Sequence, residues 1–181
     1  LKGIQESTDL DAFFKAVIKL KSVRRKGWKD KLGMKNPESV AEHCFAMSAI
    51  AMVLSDQKKL DTHKVLKMAL LHDLAEALVG DITPEQMPRS KKKSLEDAAM
   101  KTILQTLDST LRGSYWRIWQ EYQEQKTKES VFLHQIDKLE MALQAKVYHV
   151  RGHSESQIRP FLTTAKRGIK DASLARFVPK L

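Results

Sequence analysis

The sequence is short of the residues that interrupt helices. Seven glycines and five prolines are spread over 181 residues. A period-two alternation of apolar and polar residues is also hard to find, so the chain reads as mostly helix. The single cysteine, Cys44, rules out an internal disulfide and fits a reducing, cytoplasmic setting. No stretch approaches the roughly 18 uninterrupted apolar residues of a membrane-spanning helix. No apolar signal-peptide core opens the chain, but it begins at Leu1 rather than Met, so that absence carries little weight. Internal repeats, low-complexity tracts and a domain boundary are missing too. The length of 181 residues suits one domain, 1–181, with a single sizeable core.

What the chain has in excess is positive charge. Its 32 Lys and Arg against 22 Asp and Glu give a net charge of +10, which invites a polyanionic partner, either nucleic acid or a phosphorylated small molecule. Much of the excess lies in Lys15, Lys19, Lys21, Arg24, Arg25, Lys26, Lys29 and Lys31, set against Asp30 alone. A second cluster is Arg89-Ser-Lys-Lys-Lys93. Both can equally be solvated faces that aid solubility. Apolar residues make up 42%, enough for a packed core.

Taken in order, Thr8-Asp-Leu-Asp11 reads as a capping box with Asp in place of Glu. The helix behind it carries Leu10, Phe13, Phe14, Val17, Ile18 and Leu20 at helical spacing and ends near Val23. Arg24 to Pro37 reads as a loop, broken by Gly27, Gly33 and Pro37, with Trp28 amid the densest positive charge; loops this long are often functional. Ser39 and Glu42 form a capping box for a helix whose apolar stripe is Val40, Cys44, Met47, Ile50, Ala51 and Leu54, with His43 one position away. Asp61 caps a helix running through His72-Asp73 to Gly80, and Asp81-Ile-Thr-Pro84 is a turn. A further helix spans about Lys91 to Leu107, with Leu95, Ala98, Ala99, Ile103 and Leu107 inward. A short segment around Tyr115 to Gln125 carries Trp116, Trp119 and Tyr122. Thr127 opens a long helix to about Val150, apolar on two faces, with Asp137 among its apolar residues. One or two shorter helices around Phe161-Leu162 and Leu174 to Val178 complete the tail.

His72 and Asp73 sit side by side among Leu70, Leu71, Leu74, Ala75 and Ala77. Burying two polar side chains there is unfavourable unless something pairs with them. A divalent metal is one such partner, because imidazole and carboxylate both suit mid-row metals. Alone the pair is a weak signal, since an exposed pair at a helix edge reads the same. His43 and Asp137 strengthen it: with His72 and Asp73 they place two imidazoles and two carboxylates on three successive apolar helices. That mixed nitrogen-oxygen set suits Mn, Fe, Co, Ni or Zn better than calcium or a thiolate-selected metal.

The order His, His-Asp, Asp resembles that of the HD-domain metal-dependent phosphohydrolases. The local words Asn36-Pro-Glu-Ser-Val-Ala-Glu-His43, Ala69-Leu-Leu-His-Asp-Leu-Ala-Glu76, Gly80-Asp81 and Gln135-Ile-Asp-Lys-Leu-Glu-Met-Ala-Leu-Gln-Ala145 are similar to those of its 5′-deoxynucleotidase group. The resemblance covers a core of about 8–150, and the tail 151–181 adds little. It implies an all-α, single-domain HD-type helical bundle in which His43, His72, Asp73 and Asp137 hold one divalent cation. It also implies that Glu76 is the group's essential glutamate, four residues after His72 on the same helix face, and that Asp81 is a second essential acid. Arg25 and Trp28 would hold the phosphate and the deoxyribose. In some members these two are adjacent, whereas Lys26-Gly27 separates them here, so Arg24 is a rival for the phosphate. Members of the group are commonly homodimers, and the aromatic segment Trp116 to Tyr122 is a candidate interface.

The implied reaction is hydrolysis of a deoxyribonucleoside 5′-monophosphate to deoxynucleoside and phosphate. HD phosphodiesterases with two metals use extra histidines before the final aspartate. From Leu74 to Ile136 only His134 occurs, which favours a single metal and leaves His134 as either a pocket or a structural residue. The alternatives are a nucleoside triphosphate or cyclic nucleotide as substrate, a basic nucleic-acid-binding module, and an idle scaffold. The retained Glu76 and Asp81 argue against the idle scaffold. Some of the excess charge lies where a phosphate-binding loop is expected, which argues against the nucleic-acid module.

Overall fold

The computed structural model describes residues 8–180. Helices there are α1 (Leu10–Lys19), continued by a 3-10 turn (Leu20–Ser22), α2 (Lys26–Leu32), α3 (Val40–Gln57), α4 (Thr62–Leu71), α5 (Glu76–Val79), α6 (Arg89–Leu104), α7 (Ser109–Glu124), α8 (Lys128–Val150), α9 (Glu155–Gly168) and α10 (Ala172–Ala175). The chain is all-α. Its one extended pairing among the described residues is an isolated antiparallel bridge between Arg24 and Ser39.

Caps decide where several of these helices begin. The first starts at Asp9, whose carboxylate accepts the Ala12 amide at 3.0 Å; Thr8, expected as the cap, stands one residue too early. Only part of the α1 stripe meets the core: Ala16 and Leu20 are buried, whereas Phe14 and Ile18 remain exposed. The α3 capping box forms as its sequence indicates, with Ser39 and Glu42 bonding reciprocally. Asp61 caps α4, and Thr127 with Ser130 starts α8.

The stretch expected as a loop contains α2. Its N-terminal donor is satisfied from far along the chain, because Asp81 Oδ2 accepts the Lys26 amide at 2.5 Å. Trp28 and Leu32, one helical turn apart, are buried on its inner face. Gly27 is tolerated inside this short helix, and Gly33, at φ +66°, ends it in the left-handed region that glycine accepts. The glycines of this segment are local features, whereas its cap comes from Asp81, far along the chain.

α6 begins and ends slightly before its expected limits. It buries Ala99, Met100, Ile103 and Leu104, while Leu95 and Ala98, expected inward, face solvent. α7 is longer than the aromatic segment suggested, because Asp108 caps it. Trp119 and Tyr122 lie in the core, so the aromatic segment is largely consumed by intramolecular packing. That leaves Tyr115 and Trp116 half-buried.

α8 is the central strut, packing against α3, α4, α7 and α9. Met47, Met68, Ile136, Leu139, Tyr148 and Phe161 belong to the larger core around it. A second core, including Leu20, Val40, Leu74, Met100 and Ile103, lies beneath α1, α5 and α6. The tail is tied down: Gln135 Oε1 accepts the Lys170 and Asp171 amides at 2.7 and 2.8 Å, and Lys58 pairs with Asp171 at 2.6 Å.

Candidate metal centre and active-site cavity

His72 and Asp73 do not lie mid-helix. The ring Nδ1–H of His72 donates to the Ala69 carbonyl at 2.7 Å, using a last-turn acceptor of α4. The chain then tightens into bonds three residues apart, Leu74 to Leu71, Glu76 to Asp73 and Ala77 to Leu74. The expected continuous helix is thus broken after Leu71, but Glu76 still lines the same cavity as His72 and Asp73. In the neutral ring that tautomer leaves the Nε2 lone pair for a metal. Burial opposes a second proton there, but Asp73 and Asp137 outweigh it and raise the His72 pKa, so a metal would compete with a proton at Nε2.

His43 on α3 faces this junction. Its Nε2 lies 3.8 Å from Asp73 Oδ2 and 3.5 Å from Asp137 Oδ1 of α8, and His72 Nε2 lies 3.1 Å from Asp73 Oδ2. Ligand atoms of His43, His72 and Asp73 all fall within 4.8 Å of one another. Both Nε2 atoms are buried without a hydrogen-bond partner. Two orphaned imidazole nitrogens converging on two carboxylates present the demand that a divalent cation meets, so the donors fit a metal.

A cavity of about 720 Å3 opens beside these groups, a size suited to a small ligand. Asp81 and Arg25 line it, as do Lys92, Tyr122, His134 and Lys138. Arg25 Nη1 lies 3.3 Å from Asp73 Oδ2. Its rival Arg24 turns elsewhere, donating to the Pro37 carbonyl at 3.2 Å and lying 3.7 Å from Glu42. The backbone pairing that separates the two arginines runs from the Arg25 amide to the Glu38 carbonyl and from the Val40 amide to the Val23 carbonyl. Trp28 is 2% exposed but reaches the cavity wall. Its indole N–H donates to Glu38 Oε1 at 2.8 Å, and its ring packs on Tyr148 and Phe161. His134 stacks on Tyr122 with centroids 4.0 Å apart and donates from Nε2 to the Tyr122 carbonyl, so it is held as part of the wall.

The charges are strongly coupled. Burial opposes ionisation of Asp73, but His72, Arg25 and His43 outweigh it and hold the carboxyl far below its ordinary range. Asp137 behaves likewise, with burial overcome by Lys138, His43 and Arg25. Glu76 goes the other way: burial, then Asp73 and Asp81, push it well above the usual carboxylate range. Its Oε2 is buried and unpartnered. Burial and the neighbouring Glu140 push the Glu38 carboxyl up to about 7.

Several participants escape a motif-level reading. Glu140 Oε2 lies 2.6 Å from His43 Nδ1, and Lys138 Nζ lies 2.8 Å from Asp137 Oδ2. Lys92 donates to the Ile82 carbonyl at 2.8 Å and lies 3.3 Å from Glu96 and 3.8 Å from Glu76. For Glu140 a signal existed: it is a carboxylate one helical turn beyond Asp137, inside the apolar run of α8. The tail also contributes a wall, through Phe161, Thr164 and Gly168. A Cβ on Gly168 would meet Lys138 Cγ at 3.2 Å, so the lysine stem lies tight against this position.

Comparison with known proteins agrees with this geometry. The HD domain family profile matches residues 17–176. The human 5′-deoxynucleotidase HDDC2 is 35% identical over 170 residues, covering 93% of this chain and 82% of that protein. The HDDC2 of Dictyostelium discoideum is 39% identical over 156 residues, covering 81% and 82%. Among solved structures, a conserved hypothetical protein from Pyrococcus furiosus superposes with a TM-score of 0.74 at 30% identity, covering 93% of this chain and 95% of that one. On these matches and on the His, His-Asp, Asp site, the chain belongs to the HD-domain family, in the group that contains the 5′-deoxynucleotidases.

Proposed function

We propose that this protein is a metal-dependent 5′-deoxynucleotidase, hydrolysing deoxyribonucleoside 5′-monophosphates to deoxynucleoside and phosphate. The observation that carries the reading is the convergence of the unpartnered His43 and His72 Nε2 atoms on Asp73 and Asp137, at the wall of a cavity also lined by Arg25. The names of the relatives support the substrate class.

His43, His72, Asp73 and Asp137 would hold one divalent cation, of the Co, Mn, Fe, Ni or Zn class. When bound, the cation supplies charge neutralisation at the phosphate and a more acidic water. The remaining work falls to side chains. Glu76, whose buried Oε2 has no hydrogen-bond partner, would take a proton from the attacking water once the charge of a bound cation offsets the burial and the Asp73 and Asp81 carboxylates that hold its pKa up. Arg25 can grip the phosphate through two N–H donors, as guanidinium does with planar oxyanions. Asp81 lines the cavity while fixing the start of α2, and so sets the positions of Arg25 and Trp28. Trp28 forms a rigid apolar edge for the deoxyribose.

A homodimer and a cytoplasmic location belong to the same reading. The exposed Phe14, Ile18 and Phe45 support the first, and the lone Cys44 supports the second. The deciding experiment is phosphate release from a panel of deoxyribo- and ribonucleoside monophosphates, triphosphates and cyclic nucleotides, with Mn or Co supplied. Turnover of deoxyribonucleoside 5′-monophosphates is expected; turnover confined to triphosphates or cyclic nucleotides would overturn the assignment.

A further inference from the structure

Among the buried titratable groups that the proposed chemistry does not use, Glu140 has the most direct line to the site. It projects from α8, is 3% exposed, and its Oε2 lies 2.6 Å from His43 Nδ1. His43 itself is fully buried, and its other ring nitrogen has no hydrogen-bond partner. The two site histidines are thus braced differently. His72 donates to a backbone carbonyl of its own helix, whereas His43 leans on a carboxylate from another helix.

We propose that Glu140 is a positioning residue for the metal centre: it accepts the Nδ1–H of His43, fixes the ring's tautomer and orientation, and thereby presents the Nε2 lone pair between Asp73 and Asp137. An imidazole has one acceptor nitrogen when neutral, so pinning the proton on Nδ1 leaves Nε2 as the only nitrogen that can ligate. A carboxylate behind a ligating histidine also makes the ring a better donor. Two features make Glu140 suited to this. Its backbone lies one turn beyond Asp137 on α8, so one helix supplies a ligand and the brace for another ligand. The neighbouring Glu38 is already committed, its side chain accepting from the Trp28 indole at 2.8 Å while its amide donates to Tyr148 Oη at 2.9 Å. Glu140 is therefore the carboxylate that accepts the hydrogen bond from His43 Nδ1–H.

This inference rests on the reading of His43 as a metal ligand, and its test separates the two. Metal-free wild-type protein, labelled with 15N-histidine, is examined by long-range 1H–15N correlation spectroscopy. At a pH high enough for the ring to be neutral, His43 is expected as the Nδ1–H tautomer, and an Nε2–H tautomer would overturn the proposal. Cobalt(II) alone is then titrated into metal-free wild type, Glu140→Ala and Glu140→Gln, following the visible absorption of the bound ion. Glu140→Ala is expected to bind about 10- to 100-fold more weakly. Glu140→Gln, whose amide oxygen still accepts from Nδ1–H, is expected to recover much of the loss. Wild-type affinity in a folded Glu140→Ala protein would overturn the proposal. No cobalt binding by the wild type would overturn the metal-centre reading instead, and the tautomer measurement would still decide the role of Glu140.

Discussion

Asp81 Oδ2 accepts the Lys26 amide at 2.5 Å, so the turn after α5 caps the helix that follows Arg25. Asp81 is thereby both a wall of the cavity and a support of the segment facing it. Loss of a helix cap costs about 1 kcal/mol, which in a chain of this size lowers the melting temperature by about 2–4 °C. Asp81→Ala should show that drop and a raised KM, because Arg25 and Trp28 are set by α2. Asp81→Asn, whose side-chain oxygen still caps, should keep the melting temperature while losing the charge. Melting curves of the two variants check this; identical curves for Asp81→Ala and wild type would remove the capping role.

The two neighbouring arginines should separate cleanly. Arg25→Ala is expected to lower kcat/KM by 100-fold or more, corresponding to about 3 kcal/mol for a lost charge-assisted contact. Arg24→Ala, bonded to Pro37 and Glu42 away from the cavity, should change kcat/KM by less than about threefold. Steady-state kinetics on one deoxynucleoside monophosphate distinguish them, and a larger effect at Arg24 would transfer the phosphate role to it.

Glu76→Gln keeps the shape of the side chain and removes its basicity. Turnover should fall by about 10²–10⁴-fold, the usual contribution of a positioned general base, while cobalt binding persists. Metal analysis beside single-turnover rates tests the two halves separately. Unchanged turnover would leave Glu76 as a buried structural acid.

Chelation should destabilise as well as inactivate. A ligand present at 100 times its Kd stabilises the folded state by about 2.7 kcal/mol, so metal-free protein should melt several degrees lower and recover on adding Mn or Co. His72→Ala should abolish the response to added metal. A chelator-insensitive melting curve for metal-loaded wild type would argue that the four donors do not share an ion.

A pH dependence follows from Glu38, whose carboxyl is pushed from an ordinary 4.5 up to about 7 in the folded metal-free protein. Between those values the folded state holds more protons than the unfolded state, so this group's stabilisation is complete below about 4.5 and is lost as pH rises through 7. Glu38→Gln removes that titration. Metal-free Glu38→Gln should therefore gain stability relative to metal-free wild type as pH rises from 5 to 7.5, measured by thermal denaturation at each pH. A difference that does not vary with pH would refute the elevated value.

How much of this was legible in the sequence depends on the range of each interaction. The caps at Ser39, Asp61 and Thr127 are local and were readable, and so was each apolar helix carrying a site residue. The α2 helix was not, because the carboxylate that starts it lies across the site in Asp81. The break after Leu71 was hidden for another reason: the His72 side chain, not a glycine or proline, takes the Ala69 carbonyl. The apolar stripe of α1 was visible, but not which part of it would meet the core. Glu140 could be seen as a carboxylate in an apolar run, yet its partner on α3 becomes apparent only once α3 and α8 are packed together.

The tail, which the family match includes up to residue 176, contributes Phe161, Thr164 and Gly168 to the cavity wall. The acids and imidazoles proposed for the chemistry all come from residues 43 to 140, while Arg25 and Trp28 line the cavity from nearer the start of the chain. The wall that a substrate would meet is thus assembled from both ends of the chain around a centre supplied by its middle. A side chain added at Gly168 would press on the Lys138 stem, and so on the ammonium beside Asp137, from a position well outside the proposed reacting groups.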